Sequence, residues 1–423
     1  MTDREAFITA IAADPDADAP RLVYADFLEE HGDAARAGFI RDQVRLAKLR
    51  PDSDEYRQLF RRTADTLRAN LPAWIQSLCD RFGSPTNWKP IRQPGRGLHV
   101  EIVAGPVPRG FADVRDVLQA VSFDRGFIVS LSGLFLTKED VMQLAETLCE
   151  NPITRLSLGP VDPTVWNTAA VAPLNQIRSL ILRKPLNADV TLRVFSEWPW
   201  PNFQRLSLVR STAESIMALC QTPVAKRLVG MRMELNRQAI AALNRFPLDD
   251  RLQEFAVSRP EYALNHAERQ QAVTQLQAVA FRPTLKRLDL TGCTIGDRGL
   301  ATFARGDVWI RLKALVLDRN RFGDPGWRDF VRSRRTPELK LLSASRNFMT
   351  NDGAVRLAQS PLAATLEYVD LRGNRIDGKG ALALARALGD SPLKKLLLAG
   401  NPIREKDAEM VRKILGERVD IGG

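Results

Sequence analysis

Histidine and cysteine are scarce in this chain: among 423 residues there are three of the first and four of the second. Cys79, Cys149, Cys220 and Cys293 stand about seventy residues apart with no close pair. That spacing argues against a disulfide framework and against a zinc site, and it fits a reducing compartment. His31, His99 and His266 have no Cys or Ser beside them in an arrangement suited to nucleophilic catalysis. No phosphate loop, nucleophile elbow or metal signature occurs, so no catalytic residue, cofactor or small-molecule substrate is expected. The chain also lacks a long apolar run, and its first residues, MTDREAFITAIAADPDADAP, include acidic groups. Neither a secretion signal nor a membrane anchor is expected, and a cytoplasmic location is.

Charge is unevenly placed. Residues 1–80 hold 11 basic and 15 acidic side chains, whereas residues 81–423 hold 50 and 35. The excess of positive charge therefore belongs to the later part of the chain, where it favours an acidic partner.

That later part is periodic. LKRLDLTGC, LKALVLDRN, LKLLSASRN, LEYVDLRGN and LKKLLLAGN centre on Leu288, Leu315, Leu342, Val369 and Leu396, each 27 residues after the one before. A fixed period arises when one unit stacks on copies of itself, which predicts a leucine-rich-repeat solenoid with a parallel sheet on its concave face and helices on its convex face. Weaker copies place earlier strand centres near Val129, Leu156, Leu180, Leu206, Met231 and Phe255. The step of 33 residues before Leu288 holds an insertion, NHAERQQAVTQLQAVA, read as a longer helix. About eleven strands at ~4.8 Å per step give an inner arc of roughly 50 Å, wide enough for a folded domain. Asn320, Asn347, Asn374 and Asn401 share one repeat position, with Cys293 replacing the amide once; a buried amide there can bond backbone groups that the ladder leaves unpaired. The helices should turn Leu300 and Phe303, Val355 and Leu357, and Leu382 and Leu384 inward, and a charged last helix, Lys406 to Leu415, should cap the stack.

The first eighty residues read as helices. Thr2 and Glu5 form a capping box, Pro20 opens a second helix, and Pro51 separates a third from a fourth. Residues 1–82 are assigned to a small helical domain, 83–97, rich in Gly and Pro, to a linker, and 98–423 to the solenoid, with a first strand at Leu98 to Val103.

A period near 27 with LxxLxLxxN and a helix per unit resembles the ribonuclease-inhibitor type of leucine-rich repeat, also used by the activating protein of the Ran GTPase. AFITAIAADPDADAPRLVYADFLEEHGDAARAGFIRDQVRLAKL resembles the bacterial repeat-companion domain. That resemblance rests on Asp14, Pro15, Arg21, Leu22, Tyr24, Ala25, Asp26, Leu28, Glu29, Gly32, Asp33, Arg36, Phe39 and Ile40, and implies residues kept for fold more than for chemistry.

Candidate constellations in the head are few. Asp14, Asp16 and Asp18 alternate like the start of a calcium loop, but Ala19 and Ala25 stand where that loop needs Gly and Glu, so capping is the expected role. Asp26 and Glu29 share a helix face with Arg21 and Arg36 near them, a spacing that suits salt bridges. Arg332, Arg334 and Arg335 end a helix beside Trp327 and Phe330, where the helix dipole already accounts for positive charge.

The residues expected to touch a partner are the outward members of the strands and two arginines just beyond: Arg155, Arg183, Arg205, Arg210, Arg232, Arg287, Asp289, Tyr368, Asp370 and Lys395. They predict a non-catalytic interaction scaffold binding an acidic protein on the concave face. Two alternatives stand beside it: a regulator or inhibitor of an enzyme or small GTPase, implied by the resemblance, and a nucleic-acid-associated protein using the basic solenoid.

Overall fold

A computed structural model describes residues 2–49, 53–82, 88–92, 100–104, 120–125, 127–136, 138–161, 172–184, 186–197, 200–209, 211–245, 251–258, 271, 275, 284–305, 311–332 and 339–422. The chain divides into two compact units, Met1–Lys184 with Arg193–Ser207, and Pro185–Leu192 with Leu208–Gly423.

The first unit begins with helices α1 (Asp3–Ala13), α2 (Ala19–Glu30), α3 (Ala34–Leu46), α4 (Asp54–Trp74) and α5 (Gln76–Phe82). Their starts follow local chemistry: Thr2 and Glu5 form the reciprocal capping box, Asp33 accepts from the Arg36 amide, and Ser53 accepts from the Tyr56 amide. Strands β1 (Trp88–Arg92), β2 (Val100–Ala104), β3 (Ala120–Asp124) and β4 (Phe127–Leu136) follow. β1 lies inside the segment read as linker, and β1 to β4 pair antiparallel, where the repeat pattern alone predicted parallel pairing. From β4 to β6 the pairing is parallel. After α6 (Lys138–Glu150) come β5 (Arg155–Val161) and β6 (Ser179–Leu182), with Leu131 opposite Leu156 and Leu156 opposite Leu180. The ladder residue of β4 is thus Leu131, two places beyond the expected Val129. α7 (Ala188–Glu197) and β7 (Arg205–Leu208) come next, and the Gln204 and Arg205 amides both donate to Arg178 O at 2.9 Å.

Val129 has a different task. Together with Phe127 it joins Ile8, Ile11, Tyr24, Ala25, Leu28, Ala37 and Ile40 in one buried cluster, so helices α1 to α3 share a core with the first parallel strand. The Tyr24 ring sits 5.7 Å from Phe7, 6.0 Å from Phe27 and 5.4 Å from Phe127. Arg21 is wholly buried between them, donating to Pro15 O at 2.6 Å and to Ala17 O, with its guanidinium 5.9 Å from the Phe127 ring centre. Burial lowers its pKa, partly offset by Asp124. A bidentate pair from Arg81 to Glu150, at 2.8 and 2.7 Å, ties α5 to α6.

The second unit holds α8 (Ala213–Cys220), β8 (Gly230–Glu234), α9 (Arg237–Arg245), β9 (Glu254–Ser258), β10 (Arg287–Asp289), α10 (Gly296–Arg305), β11 (Ala314–Val316), α11 (Asp324–Val331), β12 (Leu341–Ser343), α12 (Asn351–Ala358), β13 (Tyr368–Asp370), α13 (Gly378–Gly389), β14 (Lys395–Leu397), α14 (Glu405–Leu415) and β15 (Val419–Asp420). All pair in parallel, with Met231, Phe255, Leu288, Leu315, Leu342, Val369, Leu396 and Val419 opposite one another in turn. Strands stack at ~4.8 Å whereas packed helices need about 8–10 Å, so the sheet side of this unit is the inner one. It is a leucine-rich-repeat solenoid. The last helix does not end the stack, because β15 adds one more strand beyond it. Inward helix residues are Ala354 and Leu357, and Ala381 and Leu384; Val355 and Leu382, expected there, are only half-buried.

Two polar ladders hold the repeats in register. Asn320 Nδ2 donates to Leu290 O at 2.9 Å, Asn347 Nδ2 to Leu317 O at 3.0 Å, Asn374 Nδ2 to Ala344 O at 3.0 Å and Asn401 Nδ2 to Leu371 O at 2.9 Å, each reaching the preceding repeat. Cys293 does the same through Sγ, 3.3 Å from Val257 O; burial pushes its thiol pKa well up, which keeps the proton it donates. On the helix side, Asp297, Asp324 and Asn351 use Oδ1 to cap the following repeat's helix, accepting from Gly323 and Gly326, Thr350 and Gly353, and Asp377 and Gly380. The glycines are required by that approach: a Cβ on Gly326 would lie 2.6 Å from Asp297 Cα, and one on Gly380 2.6 Å from Asn351 Oδ1.

Candidate functional site

The outward residues of the second unit form two straight rows on its sheet face. One row runs Glu254, Arg287, Ala314, Leu341, Tyr368, Lys395; the other Arg232, Ala256, Asp289, Val316, Ser343, Asp370, Leu397, Asp420. Register alone produces these rows, since alternate residues of a strand point to the same face. Six of the ten residues singled out in the sequence, Arg232, Arg287, Asp289, Tyr368, Asp370 and Lys395, therefore share this face.

Their states differ. Asp289 Oδ1 accepts from the Thr291 amide at 2.9 Å and hydroxyl at 2.6 Å, and Oδ2 lies 3.8 Å from Arg232. Asp370 is clasped by Arg372 through contacts of 2.6 to 3.1 Å, which raise the Arg372 pKa. Lys395 donates to Glu417 O at 2.9 Å. Tyr368 is 45% exposed, with Lys394 Nζ 5.8 Å from its ring centre. Beside it Glu367 bridges Lys340 at 2.8 Å and Lys394 at 2.7 Å, and these two ammonium groups hold its pKa down at about 2. Lys340, Glu367 and Lys394 lie one residue ahead of their strands and Arg372 two residues after Asp370, all outside the strands, which is why strand periodicity missed them.

In the first unit Arg155 is half-buried, and Arg183 Nε donates to Ser157 Oγ at 3.1 Å across two neighbouring strands. Arg205 is exposed at the start of β7. Arg210 lies outside the described residues, as do His99, His266 and the insertion read at 265–280 apart from Gln271 and Gln275.

The head's candidates are structural partners. Asp26 and Glu29 both bind Arg41, each at 2.6 Å, a residue that the sequence pattern did not single out. Arg36 is half-buried, 5.9 Å from the Trp74 ring centre, and desolvation lowers its pKa. Asp14 accepts from the Asp16 amide at 3.3 Å, and Asp18 pairs with Lys48 at 3.0 Å and Arg125 at 3.2 Å. Among the described residues no group of three His, Cys, Asp or Glu side chains could hold a metal. A cleft of about 380 Å³ between α1 and α6 is lined by Glu5, Thr9, Cys149, Gln176 and Asn202 among others. Arg332 ends α11, and residues 333–338 after it lie outside the described residues. No helix among the described residues is long and apolar enough to cross a membrane.

Comparison with known proteins bears on the fold. No curated protein matches the chain. The crystal structure of the Rad7 and Elc1 complex in yeast is similar at 13% identity, covering 95% of this chain and 90% of that one, with a TM-score of 0.47. A Bacteroides fragilis protein is similar at 11% identity over 59% of this chain and 66% of that one, with a TM-score of 0.30. A family model described as Leucine Rich repeat matches residues 283–304 and 363–385. Both matched segments begin just ahead of a ladder strand and run into its helix, so the chain carries leucine-rich repeats.

Proposed function

We propose that this protein is a non-catalytic scaffold that docks a protein with an acidic surface on the inner sheet face of its repeats. The observation that carries the reading is the fate of the acids on that face. Asp289, Asp370, Asp420 and Glu367 are each held by neighbouring donors or cations, whereas Arg287 forms no ion pair among the described residues. The charge left for a partner is therefore positive. Tyr368 stands among these cations as an exposed ring, the residue type that anchors protein interfaces. The helical head serves the repeats indirectly, by sharing the buried core around Tyr24 and Phe127 with the first parallel strand.

The test uses the whole chain. Parent protein and an Arg287→Glu/Tyr368→Ala/Lys395→Glu variant are immobilised side by side in cell extract, and retained proteins are purified and their affinities measured directly. An acidic partner bound by the parent should bind the variant about tenfold or more weakly, in line with the loss of an aromatic anchor and two charges. Equal retention by both would refute docking on this face.

A further inference from the structure

The residue just before each ladder asparagine or cysteine has a left-handed backbone: Gly292 at φ 73°, Arg319 at 55°, Arg346 at 54°, Gly373 at 63° and Gly400 at 75°. The ladder demands it. Four of these amides turn to the next repeat, Gly292 N donating to Asp318 O at 2.8 Å, Arg319 N to Ser345 O at 2.9 Å, Arg346 N to Arg372 O at 2.7 Å and Gly373 N to Ala399 O at 2.9 Å. Glycine meets this demand without strain, and three repeats use it. Two others carry arginine, a residue with no local hydrogen bond to ease a left-handed backbone. Arg321, at φ 60°, is left-handed on the same edge, as is Thr294, at φ 55°, one repeat earlier. Strain of this kind, which a glycine would relieve, points to a use for the side chain.

The edge has charge and no counter-charge. Arg319, Arg321, Arg346 and Arg375 are exposed, and none forms an ion pair among the described residues. The nearby carboxylates are committed, Asp318 to Ser343 Oγ at 2.6 Å and the Ser345 amide at 2.7 Å, and Asp370 to Arg372. A Cβ on Gly373 would lie 3.2 Å from Arg346 Cγ, so the Arg346 stem lies across the next repeat and the arginines form a row. Phe348 belongs to the same edge. It is 43% exposed, and Arg375 sits 4.8 Å from its ring centre.

We propose that this loop edge, distinct from the sheet face, binds single-stranded nucleic acid. Guanidinium groups one repeat apart suit a string of phosphates, and an exposed ring braced by arginine offers a stacking platform for a base. An acidic peptide would use the charge but not the ring, and a duplex keeps its base faces covered. The probe is a labelled single-stranded oligouridylate, with binding followed by fluorescence anisotropy across salt concentrations. At about 0.7 per neutralised phosphate, four arginines give a log–log slope of about −2.8, so a fourfold rise in salt weakens binding about 50-fold.

Arg319→Gly/Arg346→Gly is the decisive variant, because it removes two side chains while relieving the backbone. It should melt at or above the parent temperature, lose about tenfold or more in affinity and show a slope near −1.4. Phe348→Ala should lose about tenfold with the slope unchanged. If the glycine pair melts below the parent, Arg319→Asn/Arg346→Asn, whose side chains tolerate this backbone, takes its place in the same assay. The proposal fails if the parent does not bind at low salt, if the arginine variants bind like the parent, or if polyglutamate binds as tightly as the oligouridylate. Because these variants leave Arg287, Tyr368 and Lys395 intact, loss here and loss of a protein partner are separate results.

Discussion

Replacing Asn347 by alanine should cost about 3 kcal/mol, and the structure says where the loss arises. Asn347 Oδ1 accepts the amide of Asn320 at 2.8 Å, while its Nδ2 donates to Leu317 O and Ala344 O, both at 3.0 Å. Asn320 is wholly buried, so the variant strands its N–H without water, at about 1–3 kcal/mol. The two lost amide–carbonyl bonds add about 1 kcal/mol each at most, since carbonyls tolerate partial satisfaction better than N–H groups. Cys293→Ala is the control: it removes one thiol contact of 3.3 Å to Val257 O and should cost less than about 1 kcal/mol. Stacked repeats can open piecewise, so a global melt alone is a blunt measure. Amide hydrogen exchange of residues 314–322 is the direct assay, with urea unfolding beside it. The Asn320 amide should lose protection by the full amount, and amides of α14 should lose far less. A loss under ~1 kcal/mol at Asn320, or one no larger than in Cys293→Ala, would refute the ladder as a source of stability.

Two further outcomes follow from the same geometry. Gly353→Ala should destabilise by about 2–4 kcal/mol, from overpacking and a lost helix cap, since the new Cβ would stand 2.5 Å from Met349 Cγ and 2.6 Å from Asp324 Oδ1; Gly38→Ala, with open space around it, should be neutral or stabilising by thermal melting. Glu367 has a folded-state pKa of about 2 against an ordinary 4.5, so its contribution is fully present above pH 4.5 and is lost as the pH falls toward 2. Lys340→Ala/Lys394→Ala should flatten the acid limb of a stability–pH profile in that window and lower stability at neutral pH by the same amount, a small one because the pairs are solvent-screened; an unaltered acid limb would count against the assignment.

The repeat strands were legible because hydrophobic spacing reports burial directly. Leu288, Leu315, Leu342, Val369 and Leu396 lie opposite one another as their spacing requires. The asparagines were legible for a related reason, since a polar residue recurring inside an apolar frame has to be paired. The helix-side caps had an equally regular signal, Asp297, Asp324 and Asn351 at one repeat position and Gly326, Gly353 and Gly380 at another. It reads as turn composition until the folded chain shows each acid or amide reaching across to the next repeat. Val129 shows the opposite difficulty. An apolar residue at about the right spacing looked like a ladder position, but it belongs to the buried cluster that also holds Tyr24 and Ile8 of the head, over a hundred residues away, which no local pattern announces.

The arginine edge lay in plain sight in the sequence as DRN, SRN and RGN, and it carried no meaning there. Charge on a loop is ordinary, and only the left-handed φ at Arg319, Arg321 and Arg346 distinguishes these arginines from solvated neighbours. The same repeat position is glycine in three other repeats, so the chain itself supplies the reference for what the backbone prefers. A side chain kept against that preference twice at one position, beside an exposed phenylalanine, is a departure that packing does not explain, because neither arginine is buried. Stability and binding then make opposite demands on residues 319 and 346, which is why a variant that melts higher while binding less separates a functional edge from a merely basic one.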